Sequence, residues 1–364
     1  METDTTTLAA FDGSRKNNFT PIRILLAWLV LYGHSYAIQN PDNIRDPLNL
    51  LFQGSIWIGA LSVHGFFAIS GFLVCASFVR RGLFDYLLSR TLRIYPALIV
   101  CVFASVFIVG PLATEISLSA YFESPKTYSY LKNALGLEHM QWKLPGVFEQ
   151  NKDTSINGSL WSLTAETRCY VILAVLGLLG AFQSRLFTNL LIVIVLTFGY
   201  FYYPELPLVG AREKWSGAAT FFLVGVFFYT NRESIPLNLQ TAVFSAVLCY
   251  FSFGQPWFDF VFPWAFTYLL FYFSYMTPFL AVDEKLGDIS YGVYIYAWPT
   301  QQIVAFMWPS LGVVGNILVA SCITIFLAYL SWRFIEKPAL ALKSRFIGDQ
   351  SSTNGTANLT RRYW

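Results

Sequence analysis

Charged residues and the residues that usually bind metals are scarce in this sequence. Of 364 residues only 12% are charged and three are histidine, and the five cysteines form no CxxC pair. No histidine lies near a cysteine at metal-ligand spacing, so the cysteines are expected to be small buried side chains and no metal is predicted. The net charge of +3 is small, and the basic residues lie at the ends of apolar runs. This pattern excludes a nucleic-acid partner.

Two further features are missing. No small-residue cleavage site follows the first apolar run, so the first apolar segment is expected to stay in the mature protein. No internal repeat is found, which argues against the inverted repeats of many transporters.

What the sequence has in abundance is apolar surface. Hydrophobic residues make up 55% of the chain and aromatic residues 18%, which is more than one soluble core can bury. The apolar runs are about 20 residues long, the length that crosses a bilayer as a helix. We therefore predict an all-α, polytopic membrane bundle of ten transmembrane helices in a lipid bilayer. The spans lie near 21–39, 55–79, 91–112, 159–181, 186–203, 216–230, 238–254, 260–280, 288–307 and 312–334.

The distribution of basic residues predicts the orientation of these spans. If the N-terminus is cytoplasmic, clusters such as Arg80 and Arg81 face the cytoplasm and few basic residues lie in the short outer loops. This satisfies the positive-inside rule and puts both termini in the cytoplasm. The predicted parts are a cytoplasmic segment 1–20, a membrane domain 21–338 and a partly disordered cytoplasmic tail 339–364. The long outer loop, about 113–158, is either a lid that faces a sugar or a packed cap.

The first predicted span carries two ionisable residues on one face. Arg23 and His34 are separated by ten residues, and eleven helical steps return to nearly the same face about 16 Å higher. Arg23 lies at the cytoplasmic boundary, where it either anchors the span or meets phosphate. His34 lies deep in the span, where an ionisable group is costly, and we predict that it is catalytic.

A pair of arginines follows the second span. Arg90 and Arg93 share a helical face on the cytoplasmic side. Two planar guanidinium groups in this arrangement suit a diphosphate or triphosphate, such as the head of coenzyme A. A topology anchor would not need this spacing, so we predict phosphate binding.

The fourth span places Ser162 and Glu166 on one face. We expect Glu166 about 10 Å below the outer face, at a depth similar to those of His34 and of His64 in the second span. A carboxylate bonded to a histidine would fix its tautomer, as a general base acting on a hydroxyl requires. The alternative is a buried ion pair with Arg93 or Arg168.

Weaker candidates line the second and ninth spans. His64 is flanked by small residues such as Gly71, for which close helix packing is the favoured interpretation. Tyr291 and Tyr294 share a stripe in the ninth span and are assigned to the pocket wall, although tyrosines near an interface are usually anchors.

The ordered set of motifs resembles the acyltransferase-3 family of membrane O-acyltransferases, from about Arg23 to Pro338. The segments that carry the resemblance are Arg23-x10-His34, FFAISGFL (66–73), RTLRIYP (90–96), GSLWSLTAE (158–166), SYGVYIY (290–296) and FIEKP (334–338). One departure stands at Ala297-Trp298-Pro299, where many members of the family have a histidine.

The resemblance implies a ten-helix bundle, acetyl-CoA or another cytoplasmic acyl-CoA as donor, and a sugar hydroxyl as acceptor. His34 would be catalytic, Glu166 a site residue, and Arg23, Arg90 and Arg93 donor-binding. The acceptor would be a cell-surface or exported carbohydrate, either free or lipid-linked, or a secreted small molecule such as an antibiotic. A bacterial inner membrane is the expected location.

The sequence is compatible with two mechanisms and with one rival function. His34 either acts as general base on the acceptor hydroxyl or carries the acyl group covalently. The rival function is a glycolipid transporter or flippase, in which buried ionisable groups form a proton or substrate path.

Overall fold

The structure, a computed structural model, describes residues 6–14, 16–40, 43–135, 140–201 and 213–347. The described residues are helical and contain no strand, only two isolated β-bridges. The all-α prediction is therefore confirmed. The expectations for residues 1–5, for the tail beyond residue 347 and for small parts of the fifth span (202–203) and the outer loop (136–139) lie outside the described residues.

The helices follow the apolar runs of the sequence. Their bounds are α1 (Phe19–Ile38), α2 (Pro47–Leu51), α3 (Ile58–Ala104), α4 (Gly110–Ala113), α5 (Leu118–Glu123), α6 (Pro125–Ser129), α7 (Leu160–Leu178), α8 (Arg185–Phe201), α9 (Glu213–Thr230), α10 (Leu239–Ser252), α11 (Phe258–Met276), α12 (Val282–Lys285), α13 (Ser290–Met307), α14 (Gly312–Ser331), α15 (Lys337–Ala341) and α16 (Lys343–Ile347). Short 3-10 or π-helical turns connect or extend them at Leu8–Phe11, Ser105–Val109, Tyr130–Leu135, Ala181–Gln183, Pro309–Leu311 and Trp332–Glu336.

Helix α3 contains a reversal of the chain at Gly82, which has φ 78° and ψ 176°. The ring of Phe66, before Gly82, lies 5.9 Å from that of Tyr294. Cys101, after Gly82, has its Sγ 3.5 Å from the carbonyl oxygen of the next residue, Ile295. In a straight helix these two α3 residues would be about 50 Å apart. The two halves of α3 therefore run in opposite directions, which agrees with the separate second and third segments read from the sequence.

Helices α1 and α13 run side by side in the same direction. Arg23, early in α1, pairs with Asp288 just before α13, and Gln301, late in α13, donates to the carbonyl oxygen of Leu31. We call the end of the bundle that holds Arg23 the lower end and the end that holds His34 the upper end.

The first half of α3 packs closely on α9. A Cβ on Gly71 would lie 2.0 Å from the carbonyl oxygen of Phe222, and a Cβ on Gly225 would lie 2.1 Å from that of Ala68. The packing role expected for the small residues of this segment is therefore what the structure shows at Gly71.

Three helical segments of the described residues are long and apolar enough to cross a membrane, namely Phe19–Ile38, Ile58–Ala113 and Pro309–Arg345. Apolar helices that are shorter occur at Arg185–Phe198, Gly217–Thr230 and Leu239–Ser252. By these measures the ten-span bundle stays a prediction, whereas a membrane-associated helical protein agrees with the structure.

The segment 113–158 packs on the upper end of the bundle where it is described. Tyr121 and Phe148 are fully buried, and the Tyr121 hydroxyl donates to the carbonyl oxygen of Val106 at 2.8 Å. Asn151 Nδ2 donates to Gln302 Oε1 of α13 at 2.8 Å. These contacts favour the packed cap over the open lid.

Candidate active site

A cavity of about 410 Å³ lies in the lower half of the bundle. This volume falls within the range of small-molecule sites. Its lining residues come from α1, both halves of α3, α7, α13 and the segments that surround it. The polar and charged ones are Arg23, Ser70, Ser89, Arg90, Arg93, Ser162, Glu166, Tyr170, Asp288, Tyr291, Tyr294 and Lys343.

Two of the predicted donor-binding arginines meet at one carboxylate. Arg23 Nη1 and Arg93 Nη2 both lie 2.8 Å from Asp288 Oδ2. Ser290 Oγ donates to the other oxygen, Asp288 Oδ1, at 2.5 Å. Arg93 Nη1 also lies 3.4 Å from Oε2 of buried Glu336. The two guanidinium groups are thus held in fixed positions at the cavity wall.

The charge of Asp288 is strongly favoured in this setting. Its burial would raise its pKa, but the guanidinium groups of Arg23 and Arg93 and the hydrogen bonds from Ser290 outweigh burial and hold the pKa at about 2. Asp288 therefore stays ionised at any pH near neutrality.

Arg90 differs from the other two arginines. Within the part of the chain that the structure describes, it has no carboxylate partner at ion-pair distance, and its buried Nε has no hydrogen-bond partner. Its guanidinium lies 5.9 Å from the centre of the Tyr170 ring. An arginine that lines a cavity without a counter-ion suits an anionic ligand.

Glu166 lines the same cavity. Its Oε1 accepts hydrogen bonds from Ser70 Oγ at 3.2 Å and from the Tyr170 hydroxyl. The sequence predicted Glu166 at the depth of His34, and this is wrong. Trp298, whose ring lies 4.6 Å from that of His34, packs against Gly158. Because α7 begins only at Leu160, its helical rise carries Glu166 about 10 Å below that level.

Ser162 and the two tyrosines of the ninth predicted span lie in the cavity wall. The Ser162 and Tyr294 hydroxyls are hydrogen-bonded to each other. The Tyr291 hydroxyl donates to the carbonyl oxygen of Ile94 at 2.9 Å, and its ring lies 5.9 Å from the Arg93 guanidinium. These side chains join α3, α7 and α13 around the cavity.

His34 lies outside this wall, at the upper end. His34 is buried, and its ring lies 4.6 Å from the ring of Trp298 and 5.8 Å from that of Trp57. The residue one turn below Trp298 on α13 is Tyr294, at the top of the cavity. About 6 Å of helix thus separates the cavity from the level of His34.

His64 faces α9 and is absent from the cavity wall, contrary to the pocket role predicted for it. Its ring stacks on Phe221 at 4.5 Å, and a Cβ on Gly217 would lie 2.9 Å from its Nε2. The apolar run predicted this helix but not which face His64 occupies, because Val63 and Phe66, on either side of His64 in the sequence, line the cavity.

Sequence reasoning missed four residues of this site, Asp288, Glu336, Tyr170 and Lys343. Asp288 and Glu336 stand next to or within the SYGVYIY and FIEKP motifs. A search for acids that balance the predicted arginines would have found them. Nothing in the local sequence marks Tyr170 or Lys343, because their roles depend on how distant helices pack.

Two known proteins are similar to this chain over nearly its whole length. The chain is 28% identical to a protein named O-acetyl transferase from Shigella phage Sf6, over 91% of this chain and 98% of that protein. It is 25% identical to Nodulation protein 10 from Rhizobium leguminosarum bv. viciae, over 93% of this chain and 96% of that protein. No solved structure matches the chain.

The family described as "Acyltransferase domain" matches residues 19–334. The chain is therefore an acyltransferase, and it belongs to the acyltransferase-3 family that the order of its motifs resembles. The matched range contains His34, Glu166 and the three predicted donor arginines, as well as Asp288.

Proposed function

We propose that this protein is a membrane O-acyltransferase that moves an acyl group, most simply acetyl, from cytoplasmic acyl-CoA to a hydroxyl of a cell-surface or exported carbohydrate. The observation that carries the proposal is the basic cavity at the lower end, where Arg90 has no carboxylate at ion-pair distance among the described residues and lies beside the fixed pair Arg23 and Arg93. The name of the phage relative, O-acetyl transferase, supports acetyl as the group transferred.

The proposed orientation puts the lower end in the cytoplasm and all ten helical segments across a bacterial inner membrane. In that orientation the cavity opens toward the compartment that holds acyl-CoA. Phosphates of the donor bind at Arg23, Arg90 and Arg93, and the pantetheine arm points upward past Ser162 and Tyr294. The acyl end reaches the level of His34 once the Tyr294 side chain gives way.

The proposed chemistry uses His34 as the general base. Its imidazole takes the proton of the acceptor hydroxyl while the hydroxyl oxygen attacks the thioester carbonyl carbon. The carbon–sulfur bond then breaks, and the imidazolium returns the proton to the departing thiolate. Trp57 and Trp298, next to the ring, hold its orientation and keep bulk water away.

Glu166 has a different role in this arrangement from the one that its predicted contact with His34 suggested. It lies in the cavity beside Tyr170 and Arg90. We assign it to the polar wall that the donor passes, where its carboxylate accepts hydrogen bonds from Ser70 and Tyr170. The match to an acyltransferase family over residues 19–334 counts against a transporter or flippase.

The test compares cells that carry the intact gene, a deletion and His34→Ala, with mass spectrometry of surface glycans. We expect one O-acetyl mass to be lost in both altered strains, while His64→Ala, which changes a histidine outside the cavity wall, keeps it. Immunoblots of the membrane fraction check that each variant accumulates. Full acetylation in the His34→Ala strain would overturn the role of His34.

If surface glycans are the same in all strains, secreted small molecules are the next acceptors to analyse. Release of free CoA from acetyl-CoA by the purified protein when a hydroxyl acceptor is supplied, without any ion gradient, separates an acyltransferase from a transporter. Absence of CoA release with every acceptor supplied would contradict the donor proposed here.

A further inference from the structure

The lowest part of the cavity carries charges that the three donor arginines do not include. Lys343 lines the cavity, and its Nζ lies 2.5 Å from Asp85 Oδ1. Arg81 Nη1 lies 3.9 Å from the same oxygen. We call Arg81, Asp85 and Lys343 the outer charge group. Because two cations share one carboxylate, the group has an excess of positive charge.

Lys343 is held where a ligand in the cavity can reach it. Ser89 Oγ donates to Asp85 Oδ1 at 3.0 Å and so fixes the carboxylate that holds the lysine. The Lys343 side chain is only 23% exposed. An ammonium group has three donors, and Asp85 takes one of them. The others remain for an acceptor inside the cavity.

The outer charge group lies farther from His34 than the donor arginines do. Asp85 precedes Arg90 by five residues of the same helix half, which puts it about 7 Å lower. From top to bottom the order is therefore His34, then Arg90 and Arg93, then Lys343. An acyl-CoA molecule has groups in the same order, which are the thioester, the pantetheine arm, the diphosphate and the 3′-phosphate on the ribose.

We propose that the outer charge group binds the 3′-phosphate of the acyl-CoA donor, with Lys343 as the main contact. This inference rests on the proposed function, since it names the part of the donor that occupies the lowest part of the cavity. A phosphate monoester carries nearly two negative charges at neutral pH and accepts charge-assisted hydrogen bonds. It therefore meets the excess positive charge of the group better than a neutral ribose hydroxyl does.

The experiment measures the affinity of the purified full-length protein for acetyl-CoA and for acetyl-3′-dephospho-CoA by calorimetry. Wild-type protein is expected to bind the dephospho donor about tenfold more weakly, the effect of one charged hydrogen bond. Lys343→Met is expected to weaken acetyl-CoA binding by about the same factor. Its affinity for the dephospho donor should stay within about twofold of the wild type.

Two variants serve as controls. Lys337→Met removes an exposed lysine of α15, the helix before the one that carries Lys343, and Lys337 does not line the cavity. This variant is expected to bind both donors as the wild type does. Lys343→Arg keeps the charge and is expected to restore most of the preference for the 3′-phosphate.

The possible outcomes distinguish failure of the 3′-phosphate inference from failure of the proposed function. If Lys343→Met weakens both donors equally, Lys343 only supports the cavity wall and the inference is overturned. If the wild type binds both donors equally well, the cavity does not recognise the 3′-phosphate and the inference fails while the donor class stands. If neither donor binds, the proposed function itself fails.

Discussion

Arg23 and Arg93 come from helices that are far apart in sequence, yet they donate to the same oxygen of Asp288. Without that carboxylate the two guanidinium groups would repel each other at the cavity wall. Asp288 is therefore a positioning residue, because it sets the direction of two cations and does not need to touch the donor.

The pH dependence of stability follows from the depressed pKa of Asp288, about 2 against an ordinary value of 3.8. A carboxylate with a lowered pKa stabilises the fold above its unfolded pKa, and this stabilisation is lost as the pH falls through the folded pKa. We expect Asp288→Asn to lower the free energy of unfolding by about 2 kcal/mol at pH 6.

The difference between wild type and Asp288→Asn should shrink below about pH 4, and most of it should be lost by about pH 2. Thermal unfolding in detergent across this range measures it, and Asp259→Asn, a change in an acid for which the structure gives no ion pair, is the control. A difference that persists unchanged at pH 2 would show that the charge of Asp288 is not the source.

At the residue scale, the sequence predicted which side chains line the cavity more fully than it predicted their contacts. Arg23, Arg90 and Arg93 line one cavity, as their shared chemistry suggested. The acid that joins two of them was not assigned, because a pairing across 265 positions leaves no local pattern. The predicted depth of Glu166, which would have allowed a contact with His34, was wrong because the first turn of α7 packs at the level of Trp298 and His34. The sequence of α7 does not reveal how deep in the bundle its first turn lies.

At the element scale, Gly82 allows the two halves of α3 to run in opposite directions. Its φ of 78° and ψ of 176° belong to a region that residues with a Cβ rarely enter. A Cβ there would meet no atom within 4 Å, so a substitution costs backbone strain alone.

We expect Gly82→Ala to destabilise the protein by about 1–3 kcal/mol, measured as a lower thermal midpoint in detergent. Phe84→Ala, two residues away and 66% exposed, should change the midpoint little. An unchanged midpoint for Gly82→Ala would mean that the reversal does not require the left-handed backbone.

Hydrophobic runs alone were enough to predict most of these helices, since each apolar segment must bury its backbone polar groups internally. The structure of segment 113–158 was harder to predict. Its short helices are fixed by buried side chains such as Tyr121 and Tyr130, and by hydrogen bonds to α13. Those contacts involve partners that the segment's own sequence does not reveal.

At the scale of the whole molecule, the proposed orientation makes a prediction for labelling. In a Cys322→Ala background, Glu149→Cys in the upper cap should react with a membrane-impermeant maleimide in intact cells. Lys337→Cys, exposed at the lower end, should react only after the cells are opened. The reverse pattern would turn the donor cavity toward the outside and contradict the use of cytoplasmic acyl-CoA.

The separation of His34 from the cavity affects how much of the acyl donor is lost to hydrolysis. One turn of α13, between Tyr294 and Trp298, lies between the cavity proposed for the donor and His34, the base proposed for the chemistry. A thioester that waits below this turn is shielded from water activated by that base. We therefore expect the resting protein to hydrolyse its donor slowly, so that acyl groups are consumed mainly when an acceptor is present above.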